Sequence, residues 1–213
     1  ITVTAPNKDV YLLQDVPADT LKGGKATVGG VELDLTKPTE NYGLESWQNA
    51  YVDITVEVKD KDGNIIANNL NGLTEDSEYT VSVKVSPKET GSAKGQTGEG
   101  KGQIHVYKPR LTFKDSEAWY GDTAPADLNA NLTETKWLHG QDEADATKMG
   151  TAPELALTFT PDASKLDNGK INTKQDVPVD VGVKIGQTDV STHTAFQHTN
   201  CDGKTCELPQ DME

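Results

Sequence analysis

The residues best equipped for chemistry in this chain are its two cysteines, Cys201 and Cys206, which stand on either side of Asp202-Gly203. That dipeptide favours a tight reversal, which would bring the two thiols close enough to bond. The spacing therefore predicts a Cys201–Cys206 disulfide and, with it, an oxidising compartment. A zinc site shared with His193 and His198 is the rival reading. Those histidines are five apart, which on a strand places them on opposite faces, and the cysteine spacing is not a usual one for zinc. Lys114, with Glu117 nearby, raises the idea of a Lys–Asn amide crosslink, but no Asn stands clearly in a closing strand and a solvated lysine is the simpler account.

Other chemistry finds no footing. His105, His139, His193 and His198 show no pairing suited to acid–base work. There is no nucleophile elbow, Walker loop, HExxH helix or dinucleotide fingerprint. Gly98 to Gly102 leads into a strand, whereas a phosphate cradle needs the amide-rich start of a helix. Asp60-Lys61-Asp62-Gly63 lacks the closing glutamate of a calcium loop and reads as a hairpin turn. The sequence thus predicts no catalytic residue, no metal and no cofactor: the chain is not an enzyme. What remains is recognition by aromatics. Trp119 and Tyr120 are neighbours, and in extended chain they point to opposite faces, so both cannot enter one core. With Trp137 and Trp47 they make the candidate protein-binding set, since large rings on a rigid sheet anchor protein partners.

The elements that position these residues are strands. Val177 to Ile185 alternates apolar and mostly polar residues with a period of two, and Val52 to Val58, Tyr79 to Val85 and Leu155 to Phe159 repeat the pattern. No helical stripe competes with it. The fold expected is all-β: two tandem antiparallel β-sandwiches of immunoglobulin-like or fibronectin-III-like type, over residues 1–107 and 108–213. The boundary is set by Pro109, which is expected to end one strand before Leu111-Thr112-Phe113 opens the next. Gly91 to Gly102, with five glycines, reads as a flexible loop. Leu73 to Val83 is similar to a tyrosine corner, in which Tyr79 packs inward and its hydroxyl bonds nearby backbone.

At 213 residues, with 34% hydrophobic and 6% aromatic content, the chain suits small sandwiches better than a large enzyme core. The net charge is −14, both halves are acidic, and Arg110 is the only arginine, so nucleic acid and anionic membrane are poor partners. No signal peptide, membrane span or anchoring motif is read, and the abrupt start at Ile1 with the charged end at Leu208 to Glu213 suggests an excised fragment of a longer protein; it is expected to be a monomer.

The junction His105-Val106-Tyr107-Lys108-Pro109-Arg110-Leu111-Thr112-Phe113, continuing to Asp122, together with Asp176 to Gly186 and Phe196 to Cys201, resembles the modular wall-anchored surface proteins of Gram-positive gut clostridia. The resemblance implies a place on the bacterial cell wall, outside the cell, and a role as adhesin or stalk. Some surface proteins of this kind are superantigens that bind immunoglobulin variable domains, so it further implies a host protein as partner, an immunoglobulin most specifically. A spacer within a wall-anchored protein and a carbohydrate-binding module are the alternatives.

Overall fold

The computed structural model describes residues 1–37, 52–87, 95–172 and 176–199, together with the backbone of Thr205–Glu207. Trp47 and Cys201 lie outside the described residues, as does the side chain of Cys206, and with them the Cys201–Cys206 pairing. The chain is all-β and divides into two compact units, Ile1–Val106 and Tyr107–Glu213. The first unit has Thr2–Thr4 (β1), Lys8–Tyr11 (β2), Val16–Pro17 (β3), Lys25–Val28 (β4), Val31–Asp34 (β5), Val52–Lys59 (β6), Asn69–Leu70 (β7) and Ser77–Pro87 (β8), and Gln96–Lys114 (β9) begins in it. The second has Leu132–His139 (β10), Asp142–Glu143 (β11), Ala156–Pro161 (β12), Leu166–Asp167 (β13), Lys170–Ile171 (β14), Val179–Ile185 (β15), Thr188–Asp189 (β16), Ala195–Thr199 (β17) and Thr205–Glu207 (β18).

In the first unit, β6, β8, β9 and β2 form one sheet and β1, β4 and β5 another. The period-two pattern is realised most cleanly in β8, where Ser77, Tyr79, Val81, Val83 and Val85 are all buried. Their antiparallel partners in β6 continue the same face, Val81 opposite Val58 and Val85 opposite Ile54. Between β6 and Ile65 the chain reverses at Asp60–Asn64, with Gly63 at φ +84°. The Asp60 carboxylate accepts the backbone N–H groups of Asp62 and Asn64, both at 2.9 Å. Asp60 therefore folds the expected hairpin turn with its own side chain.

The glycine-rich stretch departs from expectation. Its described part, from Gln96, is not a loop but the start of β9, pairing with β8 from Val85–Gln96 to Ser77–Ile104. Gly98, Gly100 and Gly102 repeat every second residue and so share one face. A Cβ at each would come within 3 Å of the backbone of Ile1, Val3 and Pro6 respectively. The glycines are a track on which the first six residues lie, because only a strand without side chains lets another backbone approach so closely. The segment is held by more than contact. The backbone N–H of Gln103 donates to Asn7 Oδ1 at 3.1 Å, and His105 Nδ1 lies 3.2 Å from Asp9 Oδ1.

Tyr79 completes this arrangement. Its ring is fully buried against Gly102, and its hydroxyl donates to the carbonyl of Pro6. The expected bond to nearby backbone is thus replaced by one to a segment 73 residues earlier in the chain. Burial pushes the Tyr79 phenol up to about 12.

In the second unit, β9 continues through Pro109 rather than stopping there. β10 pairs with it antiparallel, from Leu138–Lys108 to Leu132–Phe113, with a bulge between Leu132 and Glu134. On its other side β17 pairs with it in parallel, from Ala195–Arg110 to Thr199–Lys114, an exception to the antiparallel arrangement expected throughout. Pro109 falls one residue before that parallel ladder begins, at a position where one side of the strand has no partner and a missing N–H is tolerated. β12, β15 and β16 make a second sheet. Across the two sheets Phe113 meets Phe159 edge to face, with ring centroids 5.9 Å apart, beside a core that includes Leu111, Trp137, Val183 and Phe196. The alternation within β9 changes phase at the unit boundary: Gly102, Ile104 and Val106 are buried before it, and Tyr107, Pro109 and Leu111 after it.

Filling the glycine track should unseat the N-terminal segment. Gly100→Val is expected to lower unfolding free energy by about 2 kcal/mol or more in urea titrations, since a backbone rather than a flexible side chain must yield. Tyr79→Phe is expected to cost about 1 kcal/mol by leaving the Pro6 carbonyl without its donor. Because the phenol ionises less readily in the folded state, the unfolded chain loses its proton first as pH rises. Stability should therefore fall between about pH 10 and about pH 12 in the wild type, and this component of the alkaline loss should be absent in Tyr79→Phe.

Candidate functional site

Trp119 and Tyr120 sit on a turn whose shape is fixed almost entirely by main chain. The backbone N–H of Asp122 donates to the carbonyl of Trp119 at 3.1 Å, and the Asp122 carboxylate accepts the Trp119 N–H at 2.9 Å. Gly121 has φ +86°, the left-handed conformation that a side chain disfavours. The turn is then sewn to the neighbouring hairpin of β13 and β14. Gly121 N–H donates to Ile171 and Ile171 N–H donates to Asp122, each at 2.8 Å, and Ala124 N–H donates to Gly169 at 3.0 Å. That hairpin is closed by Asn168-Gly169, both at positive φ, as a two-residue turn between paired strands requires.

The rings carried by this frame point into solvent. Trp119 is 83% exposed and Tyr120 59% exposed. The expectation that the two rings point to opposite faces, so that both cannot enter one core, rested on an extended chain. In a turn neither has to, and neither does.

The other members of the candidate set separate from this pair. Trp137 is 8% exposed and lies opposite Pro109 in the β9–β10 ladder, so it is a core residue and is withdrawn as a surface anchor. Trp47 lies outside the described residues. Lys114 is exposed, and the Asn131 side-chain amide reaches its backbone carbonyl at 3.1 Å rather than its amine. His105 pairs with Asp9 and His198 with Asp115 at 3.0 Å, and the His139 ring lies tilted against Tyr107 with centroids 5.6 Å apart. Among the described residues no group of three or more His, Cys, Asp or Glu side chains is placed to hold a metal ion.

Many of the acidic residues are occupied with turns. Asp34, Asp145 and Asp162 each accept from the hydroxyl and the backbone N–H of the Thr or Ser two residues on, and Asp127 and Asp189 accept the backbone N–H of Asn129 and Ser191. The hydroxyls of Thr36, Thr147 and Ser164, and the N–H groups of Asn129 and Ser191, hold these carboxyls below their ordinary range. A carboxylate stabilised in its charged form by its own turn is poorly suited to donate a proton in acid catalysis.

The sequence matches no known protein-family model, and it has no match among curated proteins.

Trp119 and Trp137 should respond oppositely to truncation. Trp119→Ala is expected to change stability by less than about 0.5 kcal/mol and to reduce the fluorescence open to acrylamide quenching. Trp137→Ala should destabilise by about 3 kcal/mol or more, read by urea unfolding, because it empties part of the second unit's core.

Proposed function

We propose that this chain is a non-catalytic binding module displayed on the outside of a Gram-positive bacterium, and that it grips a host protein through the Trp119–Tyr120 turn. An immunoglobulin variable domain is the expected partner. The observation carrying this reading is the pair of adjacent aromatic rings, 83% and 59% exposed, on a turn anchored by backbone hydrogen bonds. Trp and Tyr are the residues that most often dominate binding energy at protein interfaces. A frame already rigid before contact keeps the entropic cost of ordering them low. The all-β sandwich architecture and the resemblance to wall-anchored surface proteins of gut clostridia support the same role. In an oxidising exterior Cys201 and Cys206 pair, so thiol titration should find no free thiol before reduction.

Immobilised protein exposed to human serum or intestinal secretions should retain antibody heavy and light chains. Replacing both rings, Trp119→Ala with Tyr120→Ala, should weaken that capture by more than about tenfold while leaving the fold unchanged. Elution without antibody ends the immunoglobulin assignment. Capture unaffected by the double substitution removes the aromatic turn from the contact.

A further inference from the structure

A second surface in the Tyr107–Glu213 unit carries the opposite character from the rest of the chain. On the sheet of β10, β9 and β17, register places Lys108 opposite Leu138, and Arg110 between Lys136 on one side and Ala195 on the other. Directly paired residues share a face, so Lys108, Arg110 and Lys136 project on one side of the sheet, away from the core residues Trp137 and Leu111. Where this face meets the loop before β17, an open depression of about 280 Å³ is lined by Lys108, Arg110 and His193, with Pro109, Leu138 and Thr192 among its other walls. None of its lining residues is acidic, in a chain with 34 Asp and Glu against 20 Lys and Arg. Glu134 lies 3.8 Å from Arg110 Nη2 and also 3.8 Å from Lys136 Nζ, so one carboxylate serves these two cations at long range. The Nε–H of Arg110 is buried and meets no acceptor among the described residues.

We propose that this depression binds an acidic sugar. The carboxylate of the sugar lies against Lys108 and Arg110, its apolar ring face packs on Leu138, which pairs with Lys108 on that face, and the Thr192 side of the rim meets its hydroxyls. The volume suits one ring rather than a length of peptide, and the mixture of cationic and apolar walls matches a ligand that is charged at one end and part apolar along its body. Arginine is the side chain whose forked donors best fit a carboxylate. The site is separate in sequence and residues from the Trp119–Tyr120 turn, and stands whether or not that turn binds protein.

Because Arg110 is the only arginine, its Nε–H gives a single, unambiguous resonance in a nitrogen-15 spectrum of the whole chain. Titration with 3′-sialyllactose should shift that resonance saturably, while lactose, which lacks the carboxylate, should leave it in place. Arg110→Gln should weaken binding roughly tenfold or more, read from the amides around the depression. Should that variant lose its native spectrum, Lys108→Gln serves in its place with the same expectation. Trp119→Ala should bind the sugar as the wild type does. The proposal is overturned by no shift up to about 10 mM sialyllactose, a level beyond which a site is negligible. It is equally overturned if lactose, or a hexaglutamate peptide at equal carboxylate concentration, moves the resonance as far.

Discussion

The first unit depends on how closely two backbones can approach. Ile1, Val3 and Pro6 lie against Gly98, Gly100 and Gly102 at distances that leave no room for a Cβ on the glycines. With the glycines in place the N-terminal segment seats beside β9, and Tyr79, whose ring needs the same open space at Gly102, reaches Pro6 with its hydroxyl. That bond gives a fully buried phenol the partner it requires in a low-dielectric core. Asn7 and Asp9 then continue the attachment along β9, to Gln103 and His105. The close approach, the buried hydroxyl and the seating of the N-terminal segment are one arrangement, and no part of it survives a side chain on the track.

Much of the fold was legible in the sequence because strands announce themselves through alternation. Val52–Val58 and Tyr79–Val85 became the paired strands β6 and β8 almost residue for residue, and Asp62-Gly63 turned where its composition required. The alternation at Val177–Ile185, the most regular in the chain, yielded a strand from Val179 with only Val183 fully buried, so pattern gave the direction of the side chains but not the depth of burial. The glycine stretch departs from a loop for a physical reason: glycine's flexibility points to a loop, while its spacing of two signals close backbone approach on one strand face. Pro109 does not end β9 because a proline's effect depends on whether a neighbour needs its N–H, and the parallel partner β17, some 85 residues away in sequence, cannot be located from local composition.

The candidate sites were legible in part. Adjacency marks Trp119 and Tyr120 as a pair that cannot both enter one core from extended chain, and both rings lie exposed, but the same reasoning selects Trp137, which the β9–β10 ladder turns inward beside Pro109. A lone tryptophan in a strand carries no local sign of which face it takes. The cationic face of the second unit is not legible in the sequence, since Lys108 and Arg110 become a cluster only when the fold brings Lys136 and His193 beside them. One signal was available: the alternate spacing of Lys108 and the single arginine in a strongly acidic chain.

The turn at Trp119–Asp122 is determined by Gly121, by the Asp122 carboxylate and by hydrogen bonds between main-chain atoms of the turn and the Asn168-Gly169 hairpin. Neither indole nor phenol takes part in holding it. The two outward positions are therefore free to accept other side chains without disturbing the loop beneath them, so the residues that shape this surface are separate from the residues it shows, and the latter can change at almost no cost to folding.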